Sequence, residues 1–281
     1  MGSTCFDLTM VGHVAHLRLN RPDEYNTMIP EFWAELPRLL AEIDAEGQAR
    51  VIVLSSTGRH FSAGMDLSVF TGGSTLLDDG GVNELGRKRS NLWMVVQHLQ
   101  DSFTALERCR MPVLCAIQGG CIGGAVDMVC AADARFASAD AFFQVKEIEL
   151  GMTADVGTLQ RLPKLIPEGI AREWAYTGDR IPASRAREVG FVNEVFDDHE
   201  SVIDGVLDIA TRIARHSPLA IWGTKEMVNY TRDHTVADSL RYMAGWQAGM
   251  FMGDDMAEEF VAKSEQRDPD FEGLPPRPEP W

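Results

Sequence analysis

Three acidic side chains and two glycine-rich turns are the parts of this sequence with chemistry to offer. The first turn, Ala63-Gly-Met65, lies within Phe61-Ser-Ala-Gly-Met-Asp-Leu67; the second lies within Ile117-Gln-Gly-Gly-Cys-Ile-Gly-Gly-Ala-Val-Asp127. The second reads as a strand, Val113 to Ile117, that ends in glycines and restarts as a helix near Gly123, with Asp127 in its first turn. A helix N-terminus leaves backbone N–H groups unpaired, and glycines let a ligand oxygen come close to them. Paired N–H groups aimed at one oxygen stabilise charge developing on a carbonyl. The plain alternative is that both are tight strand-to-helix turns and nothing more. Glu147 and Asp155 follow, so the expectation is an oxyanion-stabilising site with acid/base carboxylates beside it.

Each carboxylate alone has an ordinary reading. Asp127 lies three residues after Gly124 on one helix face, yet an Asp in a first turn also offsets the helix dipole at a surface. Glu147, between Lys146 and Ile148, suits a solvated face. Asp155 precedes Val156-Gly-Thr-Leu-Gln-Arg-Leu162 and suits an N-cap. Their ordered combination carries the argument. Sequences for other chemistries are absent: there is no G-x-x-x-x-G-K-[ST], H-E-x-x-H, G-x-S-x-G or clean G-x-G-x-x-G.

The elements that must position these groups alternate between strand and helix. Phe6 to Met10 and Val14 to Leu19 predict a hairpin around Gly12. A helix is expected from Pro30 to Glu46, with Pro37 arguing for a kink or an earlier start. Val51 to Leu54 is an unbroken apolar run suited to a strand buried on both faces. Thr71 to Gly81 reads as a mobile loop, and Asn91 to Cys109 as a helix. Short strands are expected at Ala134 to Ala137 and Phe142 to Gln144. Helices follow at Val156 to Ile166, Glu168 to Tyr176 and Ser184 to Val189, then a strand at Val192 to Phe196. Repeated β-then-α units predict an α/β fold with a parallel sheet. A composition shift near residue 200 divides the chain into a core, 1–200, a helical region, 201–267, and a Pro-rich tail, 268–281.

The chain has 281 residues, with 42 acidic against 26 basic side chains and a formal net charge of −16. That balance disfavours nucleic acid or an anionic membrane surface as partner. Cys5, Cys109, Cys115, Cys121 and Cys130 form no C-x-x-C pair and read as reduced, buried small residues. No apolar run suggests a membrane span, and the first residues lack a signal-peptide pattern. A cytoplasmic location is the expectation.

Taken together, the two glycine motifs resemble the two-part signature of the crotonase (enoyl-CoA hydratase/isomerase) superfamily. The similarity extends from about Val11, through Leu19-Asn-Arg-Pro22, to about residue 265. The resemblance implies a spiral of ββα units with a helical C-terminal trimerisation region, a homotrimer or homohexamer. It implies an acyl-CoA thioester substrate and no metal or redox cofactor, CoA being part of the substrate. Matched motif by motif, the oxyanion hole falls on the N–H groups of Met65 and Gly124. Substrate contacts fall on Ala63, Gly64, Met65, Asp66, Leu67 and Gly124.

Within the superfamily, Ala141-Phe-Phe-Gln-Val-Lys-Glu147 and Thr153-Ala-Asp-Val-Gly-Thr-Leu-Gln-Arg-Leu-Pro163 resemble the Δ(3,5),Δ(2,4)-dienoyl-CoA isomerases. Hydratases usually have Glu at the position of Asp127, Glu at that of Glu147, and glycine at that of Asp155. Ala125 departs from the pattern by replacing a third glycine. The ending Glu279-Pro-Trp281 lacks the peroxisomal Ser-Lys-Leu type, so the organelle setting of some relatives is not implied.

The resemblance implies catalytic roles for Asp127, Glu147 and Asp155. In a 3,5-dienoyl thioester, loss of a C2 proton gives a dienolate whose charge reaches the thioester oxygen and C6. Glu147 would serve C2, Asp155 C6, and Asp127 would orient the pair or tune its protonation. The alternatives are hydration of a 2-enoyl-CoA by Asp127 and Glu147, for which Asp155 is unnecessary, and a silent acyl-CoA-binding scaffold. Arg18 and Arg59 are minor candidates for CoA phosphates, surface solvation being the simpler reading. The Met-rich stretch Tyr242 to Met256 is expected to pack in the core rather than to line an acyl pocket or subunit contact.

Overall fold

A computed structural model of the chain describes residues 3–69, 81, 84–251 and 253–278. The loop expected at 71–81 lies, apart from Gly81, outside the described residues. The chain enters through the hairpin β1 (Phe6–Val11) and β2 (Val14–Leu19), then runs through α1 (Pro30–Glu46), β3 (Val51–Ser56), α2 (Leu85–Arg108) and β4 (Val113–Ile117). Next come β5 (Gly120–Ile122), α3 (Gly124–Cys130), β6 (Ala134–Ser138), β7 (Phe142–Gln144), α4 (Thr158–Leu165) and α5 (Glu168–Thr177). After β8 (Ile181–Pro182), α6 (Ala183–Glu188) and β9 (Glu194–Phe196), four helices close the chain: α7 (His199–Ala214), α8 (Pro218–Thr231), α9 (Val236–Met250) and α10 (Gly253–Glu265).

The main sheet has the order β1-β2-β3-β4-β6-β9, antiparallel only at β1–β2 and parallel elsewhere. A second sheet pairs β5 parallel with β7, and β7 antiparallel with β8. This is the α/β layering expected from the sequence. The unbroken apolar strand reading of β3 is explained by burial on both faces. Val51 and Val53 meet Val202, Val206 and Ala210 of α7, while Ile52 and Leu54 face the larger core with α1 and α2. No helix among the described residues is long and apolar enough to cross a membrane.

Two local differences from the sequence reading have identifiable causes. Pro37 lies inside α1, and the Trp33 carbonyl, whose helical donor Pro37 lacks, accepts instead from Ser102 Oγ at 2.9 Å. Helix α2 begins six residues earlier than Asn91, at Leu85. Its N-cap is Glu84, whose carboxylate accepts from the Gly86 and Arg87 amides at 2.7 and 2.9 Å.

Candidate active site

Gly64 and Gly124 allow the two glycine turns to touch. Gly64 has φ +82°, and a Cβ there would stand 2.5 Å from the Ile122 carbonyl oxygen and 3.2 Å from the Gly124 nitrogen. Only glycine fits such an approach. Ser62 stitches the turns together: its amide donates to the Gly120 carbonyl and the Ile122 amide donates to its own carbonyl, both at 3.1 Å. Its Oγ donates to the Asn26 carbonyl at 2.8 Å and accepts from the Gly64 amide at 3.1 Å. The glycines after β4 therefore do not pass directly into a helix. Gly120–Ile122 first forms β5, a strand the sequence reading missed because its partners lie in other segments.

On the opposite side of the first turn, Met28 and Met65 form a parallel bridge. The Met28 amide donates to the Gly64 carbonyl at 2.9 Å, and the Asp66 amide to the Met28 carbonyl at 3.2 Å. In that register the Met65 N–H faces away from the bridge, and it donates to no atom among the described residues. Gly124 is the first residue of α3, so its N–H has no intrahelical acceptor. A Cβ on Gly124 would come within 3.8 Å of the Met65 nitrogen, which puts the two amides close together. Ala63 is tied down by its N–H, which donates to the Tyr25 carbonyl at 3.0 Å. Asp66 accepts from Thr27 Oγ1 at 2.8 Å and from the Ser68 amide at 2.9 Å, bonds that lower its pKa. Leu67 is exposed.

Asp127 is fully buried within α3, not a surface residue offsetting the dipole. Its Oδ1 accepts from the Thr158 amide at 2.5 Å, at the first residue of α4. Asp127 thus supplies the anion at the start of α4, the role the sequence suggested for Asp155; the N-cap residue itself is Gly157, with φ +138°. Glu147 opens a single 3₁₀ turn after β7 and is half-buried rather than on a solvated face. Its Oε1 lies where a Cβ on Gly123 would approach to 3.2 Å, so the carboxylate borders the second glycine turn. Asp155 is exposed at the residue level, and its carbonyl accepts from Gln100 Nε2 at 2.7 Å.

All three carboxyls bind their protons more tightly than usual. Burial, then the charges of Asp127 and Asp155, push Glu147 up to about 7. Burial raises Asp127 to about 6 against the opposing Thr158 amide, with Asp155 adding to the rise. Partial burial also raises Asp155. Asp127 Oδ2, Glu147 Oε2 and Thr158 Oγ1 are buried without a hydrogen-bond partner. Such a group keeps its protons to higher pH than ordinary carboxylates do.

Supporting residues without a sequence signal surround the turns. Asn26, buried with φ +53°, donates through Nδ2 to the Thr57 and His60 carbonyls at 2.8 and 3.0 Å. The His60 Nδ1 accepts from the Gly120 amide at 2.9 Å; burial and the neighbouring Arg59 and Arg180 lower its pKa, which keeps that nitrogen an acceptor. Other expectations fall away from the site. Arg18 faces Asp7 across the hairpin at 3.9 Å, and Arg59 is exposed. Tyr242, Met243, Met250 and Met256 are exposed rather than packed in the core. A cavity of about 720 Å³ lined by Ile213, Ile221, Lys225, Phe251 and Met256 contains none of the carboxylates of the site.

The sequence profile of the enoyl-CoA hydratase/isomerase family matches residues 10–274. The chain belongs to the enoyl-CoA hydratase/isomerase family. Among relatives of this family, it is 40% identical to the mitochondrial Delta(3,5)-Delta(2,4)-dienoyl-CoA isomerase of Homo sapiens over 91% of this chain and 77% of that protein. It is also 40% identical to the peroxisomal Delta(3,5)-Delta(2,4)-dienoyl-CoA isomerase of Arabidopsis thaliana, over 93% of each chain. A solved enoyl-CoA hydratase from Bacillus anthracis superposes with a TM-score of 0.84 at 28% identity, covering 96% of this chain and 100% of that one. These findings overturn the cytoplasmic location expected from the sequence, because the similar isomerases are mitochondrial or peroxisomal. An acidic chain with unpaired cysteines suits each of these compartments, so composition had no power to choose among them.

Proposed function

We propose that this protein is a dienoyl-CoA isomerase that converts a 3,5-dienoyl-CoA to its 2,4-isomer. The observation that carries the reading is the third acid. Asp155 acts electrostatically on Glu147 and Asp127 beside the paired glycine turns, where hydration would need only two acids. The 40% identity to two proteins named for this reaction supports it.

The Glu147 carboxylate takes the C2 proton, and the electron pair left on C2 spreads into the adjacent thioester carbonyl on one side and along the diene to C6 on the other. The N–H groups of Met65 and Gly124 donate to the oxygen that gains the charge. Asp155, in its protonated form, gives its proton to C6. The proton on Glu147 then returns to Asp155 and the site resets. Asp127 fixes the start of α4 through Thr158, and its charge raises the proton affinity of Glu147. Ala63, Gly64, Asp66 and Leu67 shape the approach to the Met65 amide. Only protons move, so the reaction as proposed calls on no cofactor. Exposed Leu240, Met243, Met250 and Phe260 on α9 and α10 support association through the C-terminal helices into a trimer or hexamer.

A second reading is hydration of a 2-enoyl-CoA, favoured by the 28% identical hydratase of the same fold. Asp155→Asn separates the two. Isomerisation should be abolished while thioester binding stays nearly intact. A variant retaining more than about a tenth of wild-type activity, a loss of about 1.4 kcal/mol or less in barrier, would remove Asp155 from the C6 step.

A further inference from the structure

Asp155 stands in the connection between the turn ending at Gly151 and helix α4, and few bonds hold that connection. Among the described residues, Gln100 is the one side chain from another segment that hydrogen-bonds the backbone between Thr153 and Gly157, through Nε2 to the Asp155 carbonyl at 2.7 Å. The next positions on the same face of α2 grip the first turns of α4. Thr104 Oγ1 accepts from Arg161 Nη2 at 3.2 Å, and the Glu107 carboxylate accepts from Arg161 Nε and Nη2 at 3.1 and 2.9 Å. Glu107 also pairs with Arg232 at 2.8 Å. The Arg161 guanidinium lies against Gly157, where a Cβ would stand 1.9 Å from Nη1. Residues spaced four and three apart share a helix face, so one stripe of α2 clamps the segment carrying Asp155. From the other side, Asp127 holds the Thr158 amide.

We infer that Gln100 is a positioning residue for Asp155. It fixes the backbone at Asp155 itself, while Thr104, Glu107 and Asp127 fix the start of α4, and together they set the reach of the Asp155 carboxyl toward C6. This rests on the isomerase reading above. Without the Gln100 bond the Asp155 carbonyl turns to water and the carboxyl leaves its place. A displacement of about 1 Å at a reacting group costs about 100-fold in rate. Proton removal at C2, served by Glu147 in a different segment, is untouched. The dienolate then lives longer, the proton on Glu147 exchanges with solvent, and the C2–H bond re-forms with a solvent-derived proton in place of the C6–H bond.

The test is turnover of a 3,5-dienoyl-CoA in D₂O by wild type, Gln100→Met, Gln100→Glu and Asp155→Asn. Gln100→Met keeps length and apolar packing but lacks the donor; Gln100→Glu keeps the shape but puts an acceptor against a carbonyl. The readout is the ratio of deuterium at C2 of recovered substrate to 2,4-product, by mass spectrometry and NMR. It is internal to each sample and does not change with the folded fraction. Both Gln100 variants should raise the ratio about tenfold or more, with kcat reduced and KM within about twofold of wild type. An unchanged ratio in the Gln100 variants, beside a raised ratio in Asp155→Asn, overturns the positioning role alone. An unchanged ratio in Asp155→Asn overturns the Asp155 reading and the positioning role with it.

Discussion

Replacing Glu147 with glutamine removes a charge that the fold must keep away from water. Burial and the neighbouring acids move Glu147 from an ordinary 4.5 to about 7. A carboxyl that binds its proton more tightly in the folded state opposes folding once it ionises. Below pH 4.5 both states are protonated and there is no penalty; between 4.5 and about 7 the penalty grows, and above that it is complete. At about 1.4 kcal/mol per pH unit, the interval amounts to about 3 kcal/mol. The glutamine variant, which loses both the desolvated charge and its repulsion from Asp127 and Asp155, should gain about 2 to 3 kcal/mol at pH 8. Urea titrations of both proteins at pH 4.5, 6 and 8 measure this gain, with the difference small at pH 4.5 and largest at pH 8. Isomerisation should fall by about a thousandfold, because the amide cannot take the C2 proton. Wild-type kcat/KM should fall as pH drops below about 7, where Glu147 acquires its proton. Parallel stability curves for the two proteins across this range would refute a desolvated Glu147.

Two other substitutions probe the scaffold. Gly64→Ala forces a Cβ to 2.5 Å from the Ile122 carbonyl at φ +82°, and should cost about 2 kcal/mol or more and displace the Gly124 amide. Gly12→Ala has a similar φ of +57° but meets nothing within 4 Å, and should cost only about 1 kcal/mol; thermal or urea unfolding compares them, and equal losses would argue against the close contact. Lys225→Met removes a buried ammonium that donates to the Leu106 and Met111 carbonyls at 2.7 and 2.9 Å and to Asp133 Oδ2 at 2.8 Å. The expected loss is about 3 kcal/mol, read as a lower urea midpoint, and a loss under about 1 kcal/mol would mean α8 is held by packing alone.

The parts of this protein legible in its sequence are those written in neighbouring residues. β4 is an apolar run of five residues bounded by Pro112 and the glycines, and its observed limits, Val113–Ile117, are the ones the pattern gives. The order of the two glycine motifs and the three acids carried the family reading, which the match over residues 10–274 bears out. The illegible parts depend on partners distant in the chain. β5 exists because Phe142, Phe143 and Gln144 lie alongside Gly120, Cys121 and Ile122. Asp127 looks like a surface residue in sequence, yet it is enclosed by packing and spends one oxygen on Thr158, in another helix. Gln100 gives no sign of its bond to Asp155, because nothing local distinguishes it from any other polar residue on α2. The start of α2 was missed for a different reason: Leu85 to Ser90 lack an apolar stripe, and the helix there depends on the Glu84 cap.

The most direct measurement of the reaction is product analysis of a 3,5-dienoyl-CoA and a 2-enoyl-CoA incubated separately with the purified protein, by ultraviolet absorbance and mass spectrometry. The prediction is a conjugated 2,4-dienoyl thioester of unchanged mass from the first substrate, at a rate far above any gain of water by the second. Addition of water to the 2-enoyl thioester, with no conjugated diene from the 3,5-isomer, would contradict it.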